Sequence, residues 1–417
     1  IGAYWQLGHR REANSVEIDL TADRETSALV VRGEWAVRTY GIWVGDILLQ
    51  RSEDGSTNWE TIRKFSGEED RNVDAVGEES TEVYLRVKYE NYVAPSTPGS
   101  VDPRAVLEVT DSFVYGFAKI TGFTDARNVT AEVKDNFHST DATKVWSEGA
   151  WSPKNGNPRT VTLYEQRVVY GGSKEQPQTV WASVTGDYDN FSTGTNDTDS
   201  FNYTLGAQER NAIEWLIYQG QLLIGTSGGE WSMTGSNQEP SITPTNVSVK
   251  RQSTYGSKDI RATLVNEVVL FTQRQGKKIR ELVFSFERDG FVAPDLTLLS
   301  EHITNGGIVN TAYQQQEDSI FWAVTEDGTL IGMTYERDQN VTGWHRHTTD
   351  GEFESVAVVY GSSDDEVWFS VKRTVNGSTK RYIERFNPVE WNDKEDAFYV
   401  DSGLTYDGSA TTSISGL

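Results

Sequence analysis

A unit of strand, loop and hairpin recurs five times in the second half of this chain, at a spacing of roughly fifty residues. The hairpins show it best. Phe321, Trp322 and Val324 lead into Glu326-Asp327-Gly328-Thr329, and Leu330, Ile331 and Met333 lead out. Trp368 and Val371 lead into Asn376-Gly377-Ser378, with Tyr382 and Ile383 beyond the turn. Asp-Gly and Asn-Gly supply the positive φ angles that tight hairpins demand, so both segments are predicted antiparallel strand pairs. Weaker versions occupy residues 268–284 around Gln275-Gly276, 222–233 around Ser227-Gly228-Gly229, and 168–184 around a longer loop. An apolar run precedes each hairpin, at 161–164, 213–218, 260–265, 308–313 and 355–360, and segments such as 245–250 and 342–345 offer a fourth strand. Four-stranded sheets repeated around an axis make a β-propeller, which leaves only short sheet edges exposed. The expected fold is therefore all-β, with a propeller of five or more blades; the competing reading is a run of unrelated hairpins in an irregular β-rich domain.

A chain of 417 residues has room for two or three domains with substantial cores. Abundant Trp, Tyr and Phe, with few amphipathic helical patterns, favour strands throughout. Four sections are expected. Residues 1–26 carry a short strand at 3–7 that packs on the propeller, and residues 27–150 are strand-dense without the fifty-residue period. Their strands, at 35–44, 47–51, 59–65, 83–89, 106–109 and 113–120, suit a β-sandwich of the jelly-roll kind, inserted or N-terminal, with 95–103 as an exposed loop. A Ser-, Gly-, Asn- and Pro-rich linker at 147–158 leads into the propeller, 151–390. Residues 391–417 form an extension, and 398–406 or 3–7 could supply strands to a further blade. Both ends read as cut from a longer polypeptide. No apolar run is long enough to cross a bilayer and residues 1–30 lack a signal-peptide layout, so the chain is expected to be soluble and made in the cytoplasm. The absence of cysteine excludes disulfide scaffolds and thiolate zinc sites.

Sixty-two acidic against thirty-eight basic residues leave a formal charge of −24, spread along the chain. Such a surface disfavours tight binding to nucleic acid, whose affinity rests on neutralising phosphates. Two readings stay open: ordinary solubility charge, or an acidic wall along which DNA slides without sticking.

Little in the chain points to chemistry. Ser52 and Asp54 followed by Trp59 resemble the Asp-box of sialidases and other carbohydrate-active propellers, in which polar side chains tie the turn's amides. That motif is structural, and Gly55 stands displaced from its usual place. His345 and His347 lie two apart beside Trp344, so a strand puts both imidazoles on one face, a spacing compatible with metal; without a clear third ligand they read as interface or surface histidines. Carboxylate pairs such as Asp187 with Asp189, or Asp364 with Asp365, arise by chance in so acidic a chain. Lys277, Lys278 and Arg280 form a basic cluster, either a solvated hairpin tip or a contact for an acidic neighbouring subunit. Gly171-Gly172 and Gly228-Gly229 sit in hairpin loops rather than before helices, which argues against phosphate cradling. No catalytic, cofactor-binding or metal residue is assigned; the interface candidates are Lys277, Lys278, Arg280, His345 and His347.

Several longer runs carry a resemblance. Glu165-Gln166-Arg167-Val168-Val169-Tyr170-Gly171-Gly172, Pro177-Gln178-Thr179-Val180-Trp181 and Gly186-Asp187-Tyr188-Asp189-Asn190-Phe191 come first in order. Leu223-Ile224-Gly225-Thr226-Ser227-Gly228-Gly229-Glu230-Trp231, Asp295-Leu296-Thr297-Leu298-Leu299 and Gly343-Trp344-His345-Arg346-His347 follow. Together, over about residues 150–405 and more loosely before them, these are similar to tail nozzle or tail tubular B-type proteins, the head-tail stabilisation or hub proteins of short-tailed bacteriophages. The resemblance implies a structural, non-enzymatic virion protein without cofactors. It implies propeller domains around a DNA conduit in a homo-oligomeric, typically hexameric, ring. It also implies adaptor or portal-side neighbours, docked fibres or tailspikes, DNA passing without specific binding, and no membrane span. The alternative from another class is a virion carbohydrate-binding or glycan-hydrolysing propeller; a third is an interaction propeller with no DNA role.

Overall fold

The computed structural model describes residues 1–67, 72–95, 102–207, 211–236, 238–387, 400–403 and 409–413. Among them every regular element is a strand except a single 3-10 turn, Arg337–Gln339, and no sheet closes on itself. The expected loop at 95–103 and the extension at 391–417 lie largely outside the described residues. Two compact units divide the chain, Ile1–Lys154 and Asn155–Leu417.

The first unit runs β1 (Tyr4–Arg10), β2 (Ser15–Asp19), β3 (Arg24–Glu25), β4 (Leu29–Tyr40), β5 (Gly45–Ser52), β6 (Glu60–Gly67), β7 (Asp74–Glu90), β8 (Arg104–Val109), β9 (Phe113–Asp125), β10 (Asn128–Asp135) and β11 (Val145–Glu148). Its larger sheet has the order β2-β8-β4-β7-β5-β6, with β3 beside β7. Alternation with period two turns Leu29, Val31, Trp35 and Val37 of β4, and Val83, Leu85, Val87 and Tyr89 of β7, onto one core that also takes Ile47, Leu49 and Leu107. β7 is longer than its apolar half foretold. Its first part pairs with β4 alone; its second, beyond a bulge opposite Val31 and Gly33, pairs with β5 on one side and on the other with β4 as far as Leu85 and then with β3 at Lys88 and Tyr89.

The smaller sheet has the order β10-β9-β1-β11, which makes the N-terminal strand part of the first unit. In it β1 is bonded on both edges within its own unit, Trp5 facing Ala118 on one side and Glu148 on the other. The pattern misleads because β10 and β11 are exposed along most of their length and lack the buried alternation that marks a strand in sequence.

The second unit repeats one plan. Sheet I holds β12 (Thr160–Tyr164), β13 (Arg167–Gly171), β14 (Thr179–Ala182) and β15 (Phe201–Thr204); sheet II holds β16 (Ile213–Gln219), β17 (Gln221–Thr226), β18 (Gly229–Thr234) and β19 (Ser248–Arg251). Sheet III holds β20 (Thr263–Val265), β21 (Val268–Thr272), β22 (Ile279–Ser285) and β23 (Gly290–Val292), and sheet IV holds β24 (Ile308–Gln314), β25 (Ile320–Thr325), β26 (Leu330–Glu336) and β27 (Val341–His347). Sheet V has three strands among the described residues, β28 (Glu352–Tyr360), β29 (Asp365–Val375) and β30 (Ser378–Arg385). In each sheet every strand pairs antiparallel with the next. The Asn-Gly turn joining β29 to β30 has both central φ angles positive, 51° at Asn376 and 73° at Gly377, as a two-residue hairpin requires.

Side-chain alternation stacks the sheets. Leu222 and Ile224 of β17 join Val169, Val180 and Phe201 of sheet I, while Leu223 between them joins Val269, Phe271 and Leu282 of sheet III. Leu270 of β21 packs with Phe321, Ala323 and Ile331 of sheet IV. Trp322 and Val324 of β25 pack with Phe353, Val356 and Phe369 of sheet V. A strand buried on both faces reads as an unbroken apolar run, and Val268–Thr272 is buried at every position. The outer sheets have one covered face: β29 alternates buried and half-buried residues, and Val161 and Leu163 of β12 are exposed.

One backbone bond marks each junction. An amide near the start of each later sheet donates to a carbonyl in the preceding sheet's second hairpin: Ile213 to Pro177 (2.8 Å), Ser257 to Thr226 (2.8 Å), Ile308 to Gly276 (2.7 Å) and Phe353 to Gly328 (2.9 Å). These bonds recur with the period read from the sequence.

Glycines make room for rings across the strands. Trp215 pairs with Gly225, where an added Cβ would lie 2.0 Å from the indole, and Trp35 pairs with Gly77, where it would lie 2.2 Å away. Gly225→Val should destabilise the protein by about 1–3 kcal/mol through overpacking, and Trp215→Ala by about 3–5 kcal/mol through the cavity it leaves. Both should lower the denaturant midpoint in equilibrium unfolding; an unchanged midpoint for Gly225→Val would show that the indole is free to move aside.

Candidate functional site

The basic cluster lies at the β21–β22 hairpin, and its charges are used within the chain. Lys277 donates to Asn305 Oδ1 (3.0 Å), while Lys278 Nζ bridges Asp295 Oδ2 (2.7 Å) and Glu301 Oε1 (2.9 Å). Those two carboxylates hold the Lys278 ammonium above its ordinary pKa. Burial pulls the Asp295 carboxyl up, but donors on Lys278 and Thr297 outweigh it and leave the group below the usual range.

Arg280 departs from expectation. It is buried, donating to Ala293 O (2.6 Å) and Gln273 Oε1 (2.7 Å), with its guanidinium carbon 3.5 Å from the centroid of the Tyr255 ring. It is thus a packing residue rather than a surface contact, because β22 is an inner strand of a sheet covered on both faces. Of the three, Lys277 alone presents an exposed terminus without a carboxylate partner among the described residues.

His345 and His347 do share a face of β27, with Nδ1 of the first 2.9 Å from Nε2 of the second. Trp322 lies 5.5 and 5.2 Å from the two rings, and Phe386 lies 5.4 Å from His347. Burial lowers both pKa values, and His347 is lowered further by its neighbour. They therefore belong to the joint between sheets IV and V. Among the described residues no group of three His, Cys, Asp or Glu side chains is placed to hold a metal ion.

Two buried carboxylates escaped the sequence reading. Glu230 of β18, fully buried, accepts from Ser257 Oγ (2.9 Å) and from Ser253 Oγ, in the segment that opens sheet III, and burial raises its pKa. Glu281 of β22 accepts from Tyr335 Oη and Arg337 Nε of sheet IV and its edge, both at 2.8 Å. Each ties one sheet to the next. The available signal was a lone acid inside an apolar run, as in Gly229-Glu230-Trp231.

The Asp-box acts as a turn clamp between β5 and β6. Asp54 Oδ1 accepts from the amides of Ser56 (2.9 Å) and Thr57 (2.7 Å), and Ser52 Oγ donates to Thr57 O (2.6 Å). Hydrogen bonds from Thr57, then Ser56, hold its carboxyl well below the usual range. Trp59 packs against the Arg86 guanidinium at 4.2 Å.

A cleft of about 520 Å³ opens beside the β12–β13 turn, lined in part by Glu165, Arg167, Asp197 and Glu239. Arg167 donates to the carbonyls of Ser183 (2.6 Å), Asp199 (2.7 Å) and Asp197 (2.5 Å), and the lining sets three carboxylates, Glu165, Asp197 and Glu239, against this one guanidinium. The other carboxylate pairs named from sequence lie outside it: Asp365 instead accepts from the amides of Gln315 (2.9 Å) and Gln316 (3.1 Å). No helix among the described residues is long and apolar enough to cross a membrane. Compared with known proteins, the chain matches no protein-family model and no curated sequence.

The two kinds of basic residue should separate on mutation. Arg280→Met removes charge-assisted bonds worth about 1.5–3 kcal/mol each and leaves Ala293 O without its donor, so it should lower stability by about 2 kcal/mol or more. Lys277→Met should change it by less than about 0.5 kcal/mol. Equal unfolding midpoints for the two variants would contradict the buried placement of Arg280.

Proposed function

We propose that this chain is a wall element of a bacteriophage tail, part of a ring-shaped nozzle or hub that extends the DNA channel and docks neighbouring tail proteins or fibres. The observation that carries this reading is the serial stack of sheets whose inner members are buried on both faces, with packing and turn residues recurring from one repeat to the next; the polar side chain that returns with them, at Thr226, Thr272 and Thr325, is itself buried at the end of the second strand. We read the five sheets as propeller blades and the first unit as a jelly-roll-like sandwich offering surface to a neighbour. Such a stack resists deformation because a sheet cannot shift without opening apolar cores on both sides. The likeness of its sequence runs to short-tailed phage nozzle proteins supports the same reading.

In this role the strongly acidic composition favours a bore that repels DNA, so that the polymer passes without lasting contacts. Electron microscopy and native mass measurement of the full-length protein test the proposal. Closed rings, hexameric if the likeness to nozzle proteins extends to assembly, with a bore wide enough for duplex DNA, are the expected result; a protein that stays monomeric at high concentration would overturn it. Rings that retain duplex DNA at about 150 mM salt would overturn the repelling bore while leaving the ring intact.

The acidic cleft favours one other reading, a glycan-binding or glycan-hydrolysing role. In that case Glu165→Gln and Asp197→Asn should abolish binding or cleavage of host-surface glycans. If the unaltered protein neither binds nor cleaves such glycans, that reading falls.

A further inference from the structure

We infer that the His345–His347 pair is a proton-sensitive latch on the joint between sheets IV and V, closed while the pair shares a proton or holds none beyond its neutral tautomers, and loosened when both rings are charged. The geometry begins with β27, which places the two rings side by side. Gly332 lies directly across from His345, and an added Cβ there would come within 2.2 Å of the imidazole, so the ring occupies space that only glycine leaves. The 2.9 Å contact requires one ring to donate N–H and the other to present a bare nitrogen.

The pair continues into a ring cluster that crosses the joint. Trp322 of β25 contacts both imidazoles and also Phe386, 5.3 Å away. Phe386 sits 4.7 Å from Phe369 of β29, and its amide donates to Val367 O at 3.1 Å. Sheet IV thus holds the end of sheet V through these rings.

The polar groups around the joint are already engaged. From sheet V, Arg373 makes a two-pronged pair with Glu384, both contacts at 2.7 Å, and reaches Asp401 at 3.2 Å; Arg385 pairs with Glu366. From β24, Gln314 Oε1 accepts the Trp322 indole N–H, and Asp365 at the edge of sheet V is bonded to the Gln315 and Gln316 amides. On β26 and β25 the cross-strand neighbours of the pair are Leu330, Gly332, Trp322 and Val324, and Arg346 falls between the histidines on the opposite face of β27. Among the described residues no carboxylate lies in ion-pair range of either imidazole.

A first proton can be shared across the nitrogen–nitrogen contact. A second removes the acceptor and sets two cations side by side in a half-buried aromatic site, where both desolvation and repulsion oppose it. Histidine in an open chain takes its proton near pH 6.5. The open joint therefore binds more protons than the closed one below that pH, and the latch weakens as pH falls through and under the ordinary histidine range.

Hydrogen exchange on the intact chain, corrected for intrinsic rates, tests this at pH 7.5 and 5.5. Residues 341–347 and 380–387 should open more readily at the lower pH, by up to about tenfold per pH unit for each proton taken up, with residues 213–234 as the internal reference. The double variant His345→Gln, His347→Gln should lose that extra acid sensitivity. Unchanged protection of the two segments in the unaltered protein, or the same acid response in the double variant, would overturn the latch. Should the double variant fail to fold, imidazole titration of the unaltered protein by NMR decides alone: two ordinary histidine titrations would refute it.

Discussion

Every inner sheet of the second unit serves two cores at once. Leu222 and Ile224 belong to one, Leu223 to the next, and the division repeats at Val269 and Leu270, then at Phe321 and Trp322. This double burial sets what the central strands can contain. The buried carboxylates are paired, Glu230 with two serines and Glu281 with Tyr335 and Arg337, whereas the Trp215 and Trp231 indole N–H groups are buried without a hydrogen-bond partner among the described residues. It also explains why Arg280, charged and at a hairpin base, lies buried against Tyr255.

The repeat was legible because two local signals coincide in it. Asn376-Gly377 and Asp327-Gly328 fix where the chain reverses, and the apolar runs before them fix what is buried; β25, β26, β29 and β30 lie where those signals place them. The first unit was less legible for a physical reason. β10 and β11 have little buried surface to impose alternation, and the early half of β7 is paired by backbone bonds to β4 while its sequence remains polar. The pairing of the N-terminal strand was not legible, since its partners, β9 and β11, lie more than a hundred residues away and leave no local trace.

Candidate sites were read with mixed success, and burial accounts for the difference. The shared face of His345 and His347 follows from strand period alone. What surrounds them does not, because Trp322 and Phe386 arrive from other strands. Lys277, Lys278 and Arg280 look alike as a cluster of positive charge, yet one is exposed, one is neutralised by two carboxylates and one is buried. Their fates depend on Asp295, Glu301 and Tyr255, all remote from the hairpin in sequence.

The bonds that join successive sheets run from amide to carbonyl, and a main-chain bond does not ask which side chain it carries. Ile213, Ser257, Ile308 and Phe353 fill the same role with an aliphatic, a hydroxyl and an aromatic residue among them. A join of this kind tolerates drift in composition and in loop length so long as the facing volumes still match. The recurring part of each joint is therefore indifferent to side chains, while Glu230 and Glu281 bind particular residues of the next sheet, so the sheets are alike in backbone and distinct in the polar ties that order them.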